Sequence, residues 1–214
     1  MDLTGYKHIL WDWNGTLLDD LDLCLKTINQ LLADRQLPVV SRERYREIFG
    51  FPVIDYYLKL GFDFTREPWE EVSTEFITAY ESGRPTCKLM SGASSTLQHL
   101  AESGISQSIL SASKINYLDR AIREYELQDY FIGLAGLEDH HAGGKTESGI
   151  RHLEKFRLDP ATTLMIGDTL HDAETARVLG VDCVLIPRGH QNSGRLKKAG
   201  VPLVSSLFDL NSGR

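Results

Sequence analysis

Two segments of this 214-residue chain concentrate carboxylates where a turn follows a short apolar run. One is Trp11-Asp12-Trp13-Asn14-Gly15-Thr16-Leu17-Leu18-Asp19, and the other is Met165-Ile166-Gly167-Asp168-Thr169-Leu170-His171-Asp172. Carboxylates brought together repel one another unless a cation joins them, and an all-oxygen ligand set favours Mg²⁺. A carboxylate can also act as a nucleophile towards phosphorus and form an aspartyl-phosphate. Taken singly, Asp12 and Asp168 read equally well as turn residues, and an acidic Asp172 at a helix start is stabilised by the helix dipole in any case.

Such residues need elements that carry them to one place. Apolar bursts at Tyr6 to Trp11, Ile105 to Leu110, Tyr130 to Leu134, Thr163 to Ile166 and Asp182 to Ile186 read as buried parallel strands. Helical patterns fall between them: Ser94 to Ser103, Ile115 to Glu126, Glu147 to Phe156 and Asp172 to Leu179. This alternation predicts an α/β fold with a doubly wound parallel sheet, a Rossmann-like core. In open sheets of this kind ligands bind beyond the carboxyl ends of the strands, where Asp12 and Asp168 fall.

From about Leu18 to Arg84 the alternation stops, and helices without a convincing strand are expected. Leu21, Leu25, Ile28 and Leu32 share one helical face, Ser41 is placed to cap a second helix, Pro52 to open a third and Pro68 a fourth. The expected division is therefore a core of residues 1–17 and 85–214 and a small all-helical cap, 18–84, inserted after the first strand. Leaving the chain at that strand's end, the cap would act as a lid over the carboxylates.

With these motifs the chain resembles the haloacid-dehalogenase-like hydrolase superfamily, whose first signature is D-x-D-G-T; residues 12 to 16 match it except at Asn14. Ser111 in Ser108-Ile109-Leu110-Ser111-Ala112-Ser113 supplies its second signature, Lys145 in Gly143-Gly144-Lys145-Thr146 its third, and Gly167 to Asp172 its acidic fourth. The helical insertion between the first and second signatures is similar to the phosphoglycolate-phosphatase-like branch. The resemblance implies a Mg²⁺-dependent phosphohydrolase acting on a small phosphorylated metabolite. Asp12 would be nucleophile and metal ligand, residue 14 a metal ligand through its backbone carbonyl, and Asp168 a direct ligand. Asp172 would lie close by, ligating through water or orienting Lys145. Ser111 and Lys145 would bind the phosphoryl group and offset its charge.

At position 14 such phosphatases normally carry a carboxylic acid that protonates the leaving oxygen. An amide has no proton to give near neutral pH. Three readings follow: a phosphatase whose substrate has a good leaving group or whose proton arrives through water, a different use of the aspartyl chemistry, or a catalytically weakened phospholigand-binding or regulatory protein. Asn14-Gly15 is also a deamidation-prone pair in flexible backbone, although a rigid loop after a buried strand would slow it.

Other residues have plainer readings. Trp11 is expected in the core, while Trp13 could pack or line the mouth of the site. Asp19 and Asp20 are expected to start the first cap helix, and His140-His141 to be solvated loop residues. In the turn Gly50-Phe51-Pro52, Phe51 would present an apolar surface to the substrate, with Arg46 or Lys59 meeting its anionic group; the turn reads equally as a plain helix-turn-helix with Phe51 in the cap core.

The net charge of -7 disfavours nucleic-acid binding, which needs a basic face, but leaves anionic small molecules open because a metal ion reverses the local field. Three widely spaced cysteines indicate neither a disulfide framework nor a zinc site, and no apolar run approaches a membrane span. The expectation is a cytoplasmic monomer or homodimer with no membrane or nucleic-acid partner.

Overall fold

The computed structural model describes residues 1–138 and 144–211. Its centre is a parallel sheet of β1 (His8–Trp11), β4 (Ser106–Lys114), β5 (Leu134–Leu137), β6 (Thr163–Gly167) and β7 (Asp182–Leu185), in the order β5-β4-β1-β6-β7. Order reverses at β1, so the two strands flanking it, β4 and β6, lead their chains to opposite faces. This is the doubly wound arrangement, and the crevice at β1 is its switch point.

Side chains alternate across the sheet. Ile9 and Trp11 join the core on one face, with Leu97 and Leu100 of α5 (Ala93–Glu102) and Leu118 and Ile122 of α6 (Ile115–Glu124). Leu10 points to the other face, against Leu153 of α7 (Gly144–Phe156) and Ala173, Ala176 and Leu179 of α8 (Leu170–Leu179). No helix among the described residues is long and apolar enough to cross a membrane.

The segment after β1 is helical, as its pattern predicts: α1 (Leu21–Asp34), α2 (Arg42–Ile48), α3 (Val53–Leu60) and α4 (Trp69–Gly83). Ser41 caps α2 by accepting the Arg44 N–H, and Pro52 and Pro68 stand immediately before α3 and α4. These helices bury a hydrophobic cluster of their own, in which Tyr57 packs edge-on against Trp69 and Val72 is almost fully covered. The two passages between cap and core run side by side as a two-stranded ribbon of β2 (Leu18–Asp19) and β3 (Lys88–Leu89), with Asp19 opposite Lys88. The sequence pattern does not show this ribbon, because two-residue strands have no periodicity to read.

The third core strand also differs from expectation. Gln128–Tyr130 forms a short 3-10 turn, and the strand begins at Leu134 and ends at Leu137. Tyr130 and Phe131 have high strand propensity but pack as partly buried residues against the core. The strand itself includes Gly136, where a Cβ would press on the Ser113 carbonyl and the Ile115 backbone, so close backbone packing selects a residue of low strand propensity.

Candidate active site

β1 pairs with β6 with Trp11 opposite Ile166, and the Asp12 N–H continues that ladder onto the Ile166 carbonyl at 2.8 Å. The register sets Asp12 and Asp168 side by side just past the strand ends. Asp12, Asp168 and Asp172 have carboxylate oxygens within 4.8 Å of one another, and all three side chains are buried. Lys145, in the first turn of α7, reaches the cluster from the far side. Its Nζ donates to Asp12 Oδ1 and to Asp172 Oδ1, each at 2.5 Å.

Asp172 is fully committed. Its Oδ2 accepts the Thr169 N–H at 2.9 Å and hydroxyl at 2.7 Å, closing the start of α8, while Oδ1 holds Lys145. Of the two roles open to it, orienting Lys145 is the one this geometry favours. Gly167 permits the turn: a Cβ there would overlap the Asp172 carboxyl. Asp168 accepts the His190 N–H on Oδ2 at 2.5 Å and the Thr16 hydroxyl on Oδ1 at 3.4 Å. The single Thr16 hydroxyl proton is shared between that oxygen and Asp12 Oδ2, the nearer at 3.1 Å. Gly15 turns the chain at φ +72°, and a Cβ at that point would run into Asp168 and His190.

Electrostatics at this cluster favour a cation. Burial pushes the Asp168 carboxyl up to about 8, with the His190 charge opposing and Asp12 adding to it. Burial likewise raises Asp12 to about 6, although Lys145 pulls it down. Burial works against ionising Asp172 too, but Lys145 overrides it and holds this carboxyl below the usual range. Lys145 stays charged: burial disfavours its ammonium, and the two carboxylates more than compensate.

Asn14 lies on the cap-facing side of Asp12, and its amide is completely satisfied. Nδ2 donates to Asp20 Oδ2 at 2.8 Å and to the Tyr80 hydroxyl at 2.7 Å, and Oδ1 accepts from Ser113 Oγ at 2.8 Å. Asp20, expected only to open α1, is fully enclosed. Its Oδ1 accepts from the Gly15 N–H at 2.9 Å and from His190 Nε2 at 3.2 Å. Burial opposes charge on both, but the pair overcomes it: Asp20 is held below the usual carboxylate range, and His190 rises to about 9. Sequence reasoning missed Asp20, Tyr80, Ser113 and His190 as neighbours of the site. The available signal was Asp20 directly after Asp19, a second acid where one suffices to start a helix.

The remaining candidates separate. Ser111 is buried near the end of β4 and its Oγ accepts the Ser113 N–H at 3.1 Å, and it is Ser113 that reaches the Asn14 side chain. Trp13 is enclosed in the core and meets Tyr125 edge-on at 5.8 Å, so it packs and does not line a mouth. Phe51 is partly exposed and stacks on His171 at 4.4 Å, bridging cap and core next to Asp172. Arg46 turns to the core backbone, donating to the Pro187, Gly189 and Gln191 carbonyls, and Lys59 is exposed. His140 and His141 lie outside the described residues.

Comparison with known proteins agrees with this geometry. Tyrosine-protein kinase PtkA of Mycobacterium tuberculosis is 23% identical over 208 residues, covering 96% of this chain and 70% of that protein. Phosphoglycolate phosphatase 1 of Pseudomonas aeruginosa is 22% identical over 213 residues, 95% of this chain and 78% of its own. A haloacid dehalogenase-like family hydrolase from Streptococcus pneumoniae superimposes with a TM-score of 0.84 at 18% identity, covering 98% of both chains. The family model described as haloacid dehalogenase-like hydrolase matches residues 9–186, from the start of β1 to just past β7. The chain belongs to the haloacid dehalogenase-like hydrolase family.

Proposed function

We propose that this protein is a Mg²⁺-dependent phosphohydrolase of small phosphorylated metabolites that works through an aspartyl-phosphate on Asp12. The observation that carries the reading is the convergence of Asp12, Asp168 and Asp172 with Lys145 at the switch point of the sheet. The donor set suits the metal: the carboxylates are buried, and burial raises two of them towards protonation, a cost that a hard divalent cation removes. Asp12, Asp168 and the Asn14 backbone carbonyl would hold it, with Asp172 close by. Bound there, Mg²⁺ would supply charge to offset the phosphoryl oxygens.

One Asp12 carboxylate oxygen attacks phosphorus while the ester oxygen departs. The phosphoryl group is then an acyl phosphate on Asp12. Water attacks the same phosphorus, the bond to Asp12 breaks, and inorganic phosphate leaves with the carboxylate restored. Lys145 and Ser111 hold the transferring group. The helices of residues 18–84 act as the cap over a core of 1–17 and 85–214, excluding bulk water when closed.

Asn14 cannot protonate the leaving oxygen, and a missing acid costs roughly 10² to 10⁴ in rate when the leaving group is basic. The reading therefore favours substrates whose leaving group needs little protonation. A series of aryl phosphates with Mg²⁺ tests it: turnover should fall steeply as leaving-group pKa rises. No hydrolysis of any member, or of a metabolite panel, would refute the reading and leave phospholigand binding, the alternative that Asn14 favours.

A further inference from the structure

Beside the carboxylate cluster lies a second polar cluster, of half-buried Asn14 with buried Asp20, Tyr80 and His190, whose parts come from four places: the nucleophile loop, the start of α1, the C-terminal part of α4 and the loop after β7. Its bonding leaves little freedom. Asn14 has two amide protons, and they go to Asp20 and Tyr80. The single Tyr80 hydroxyl proton goes to Asp20 Oδ2 at 2.7 Å. His190 links onward through Nδ1 to the Tyr45 hydroxyl of α2 at 3.0 Å.

We propose that Asp20 is a positioning residue of the hydrolysis: its carboxylate clamps the Asn14 side chain and the Gly15 N–H, fixes the loop that carries Asp12, and makes an amide the residue that position 14 requires. The inference rests on the phosphohydrolase reading for its kinetic part and on geometry alone for the pairing.

The pairing follows from the donor inventory. An ionised carboxylate at position 14 has no proton to offer, so in the rotamer that Asn14 adopts it would set an anionic oxygen 2.8 Å from Asp20 Oδ2 in place of an N–H···O bond. Tyr80 could not bridge them, because its one proton is already used. Positions 14 and 20 thus form a complementary pair with room for one carboxylate. The lever on catalysis is short: Gly15, held by Asp20 Oδ1, lies three residues from Asp12 and directly against Asp168. Because Asp20 accepts from Tyr80 of the cap and from His190 of the core loop, the loop is set only when cap and core are docked.

The test compares Asn14→Asp, Asp20→Asn, the double variant and Tyr80→Phe with wild type, full-length and with Mg²⁺, by thermal melting and by p-nitrophenyl phosphate kinetics. Asn14→Asp should melt at least about 5 °C lower and gain no turnover. Asp20→Asn should lose about 10- to 100-fold in kcat with KM changed less than about threefold, the size of a lost hydrogen bond to a charged group. The double variant, with amide and carboxylate exchanged, should regain most of the melting temperature and exceed Asp20→Asn in kcat by about tenfold. Tyr80→Phe, which removes one oxygen, should lower kcat in the same direction. Additive melting shifts, or a gain in kcat from Asn14→Asp with Asp20 intact, would overturn the proposal. Recovered melting in the double variant without recovered kcat would overturn the positioning role. If wild type hydrolyses nothing, the functional reading falls and the melting cycle alone decides the pairing.

Discussion

Replacing Lys145 by methionine isolates the electrostatics around Asp12, the proposed nucleophile. The change keeps most of the apolar stem of a residue that is 3% exposed and deletes an ammonium in contact with two buried carboxylates at 2.5 Å. At an effective dielectric of about 20, each contact is worth about 7 kcal/mol before desolvation is counted. Desolvating the ammonium and both carboxylates consumes most of that, and removing one partner from a buried ion pair typically costs about 3–5 kcal/mol. For a chain of this size that is a fall of about 6–20 °C in melting temperature. Differential scanning fluorimetry in EDTA reads it directly. Added Mg²⁺ should recover part of the loss in the variant, since a second cation then offsets Asp12, while p-nitrophenyl phosphate turnover stays at least about 10²-fold down. Lys145→Arg should not rescue activity, because a planar guanidinium cannot stand as a point charge between two carboxylates in the same space. A Lys145→Met protein that melts within about 2 °C of wild type in EDTA would show that Lys145 does not stabilise the two buried carboxylates it contacts.

Four further outcomes follow. Asp12→Asn should reduce p-nitrophenyl phosphate hydrolysis by at least about 10³-fold in a steady-state assay, and undiminished turnover would refute the nucleophile assignment. His8 is buried between the Ser106 and Ser108 hydroxyls, and burial, with His152 adding to it, lowers its pKa to about 4, so it folds neutral. The unfolded chain binds the extra proton below about 6.5, so stability from His8 is present above that pH and is lost as pH falls towards 4. Urea unfolding should show about 2 kcal/mol of this gone at pH 5, and a slope unchanged in His8→Asn would refute it. Asn14-Gly15 should resist deamidation in the native protein, because Gly15 N donates to Asp20 and to the Leu18 carbonyl at 2.9 Å each and is unavailable to attack the Asn14 side chain. Peptide mass spectrometry after long incubation should find Asn14 intact in folded protein and converted after unfolding. Isothermal titration should give one Mg²⁺ per chain, and Asp168→Asn should abolish it.

Regular elements with strong local signals were legible in the sequence. Ser41, Pro52 and Pro68 announce helix starts through capping chemistry, and the apolar run before Asp12 announces β1, because those signals are local and each is read within one turn or strand. Leu134–Leu137 escaped because Gly136 is chosen by close backbone contact with Ser113 and Ile115, while the strand-like Tyr130 and Phe131 serve packing. At the site, Asp12, Asp168, Asp172 and Lys145 form one cluster because parallel register across β1 and β6 and the start of α7 deliver them there. Asp20, Tyr80 and His190 are separated by 60 residues or more, and nothing local marks a tyrosine in a cap helix as a partner of an amide at the nucleophile loop.

Charge balance gives those distant residues a common reason. Around the proposed nucleophile Asp12 the described residues place four buried acids, Asp12, Asp20, Asp168 and Asp172, and two cations, Lys145 and His190, the latter held charged at neutral pH. With all four acids ionised, as a bound divalent cation would favour, two negative charges remain among these groups, and one such cation neutralises them. A carboxylate at position 14 would leave three, in a region where burial already pushes Asp12 and Asp168 towards protonation. On the proposed mechanism the amide at 14 and the carboxylate at 20 are one choice and not two: with Asp20 at the start of α1, a neutral residue at 14 keeps the charge within what one cation offsets. Proton delivery is then left to water or to the substrate, which is why leaving-group basicity, more than cap contacts, should sort the substrates this enzyme turns over.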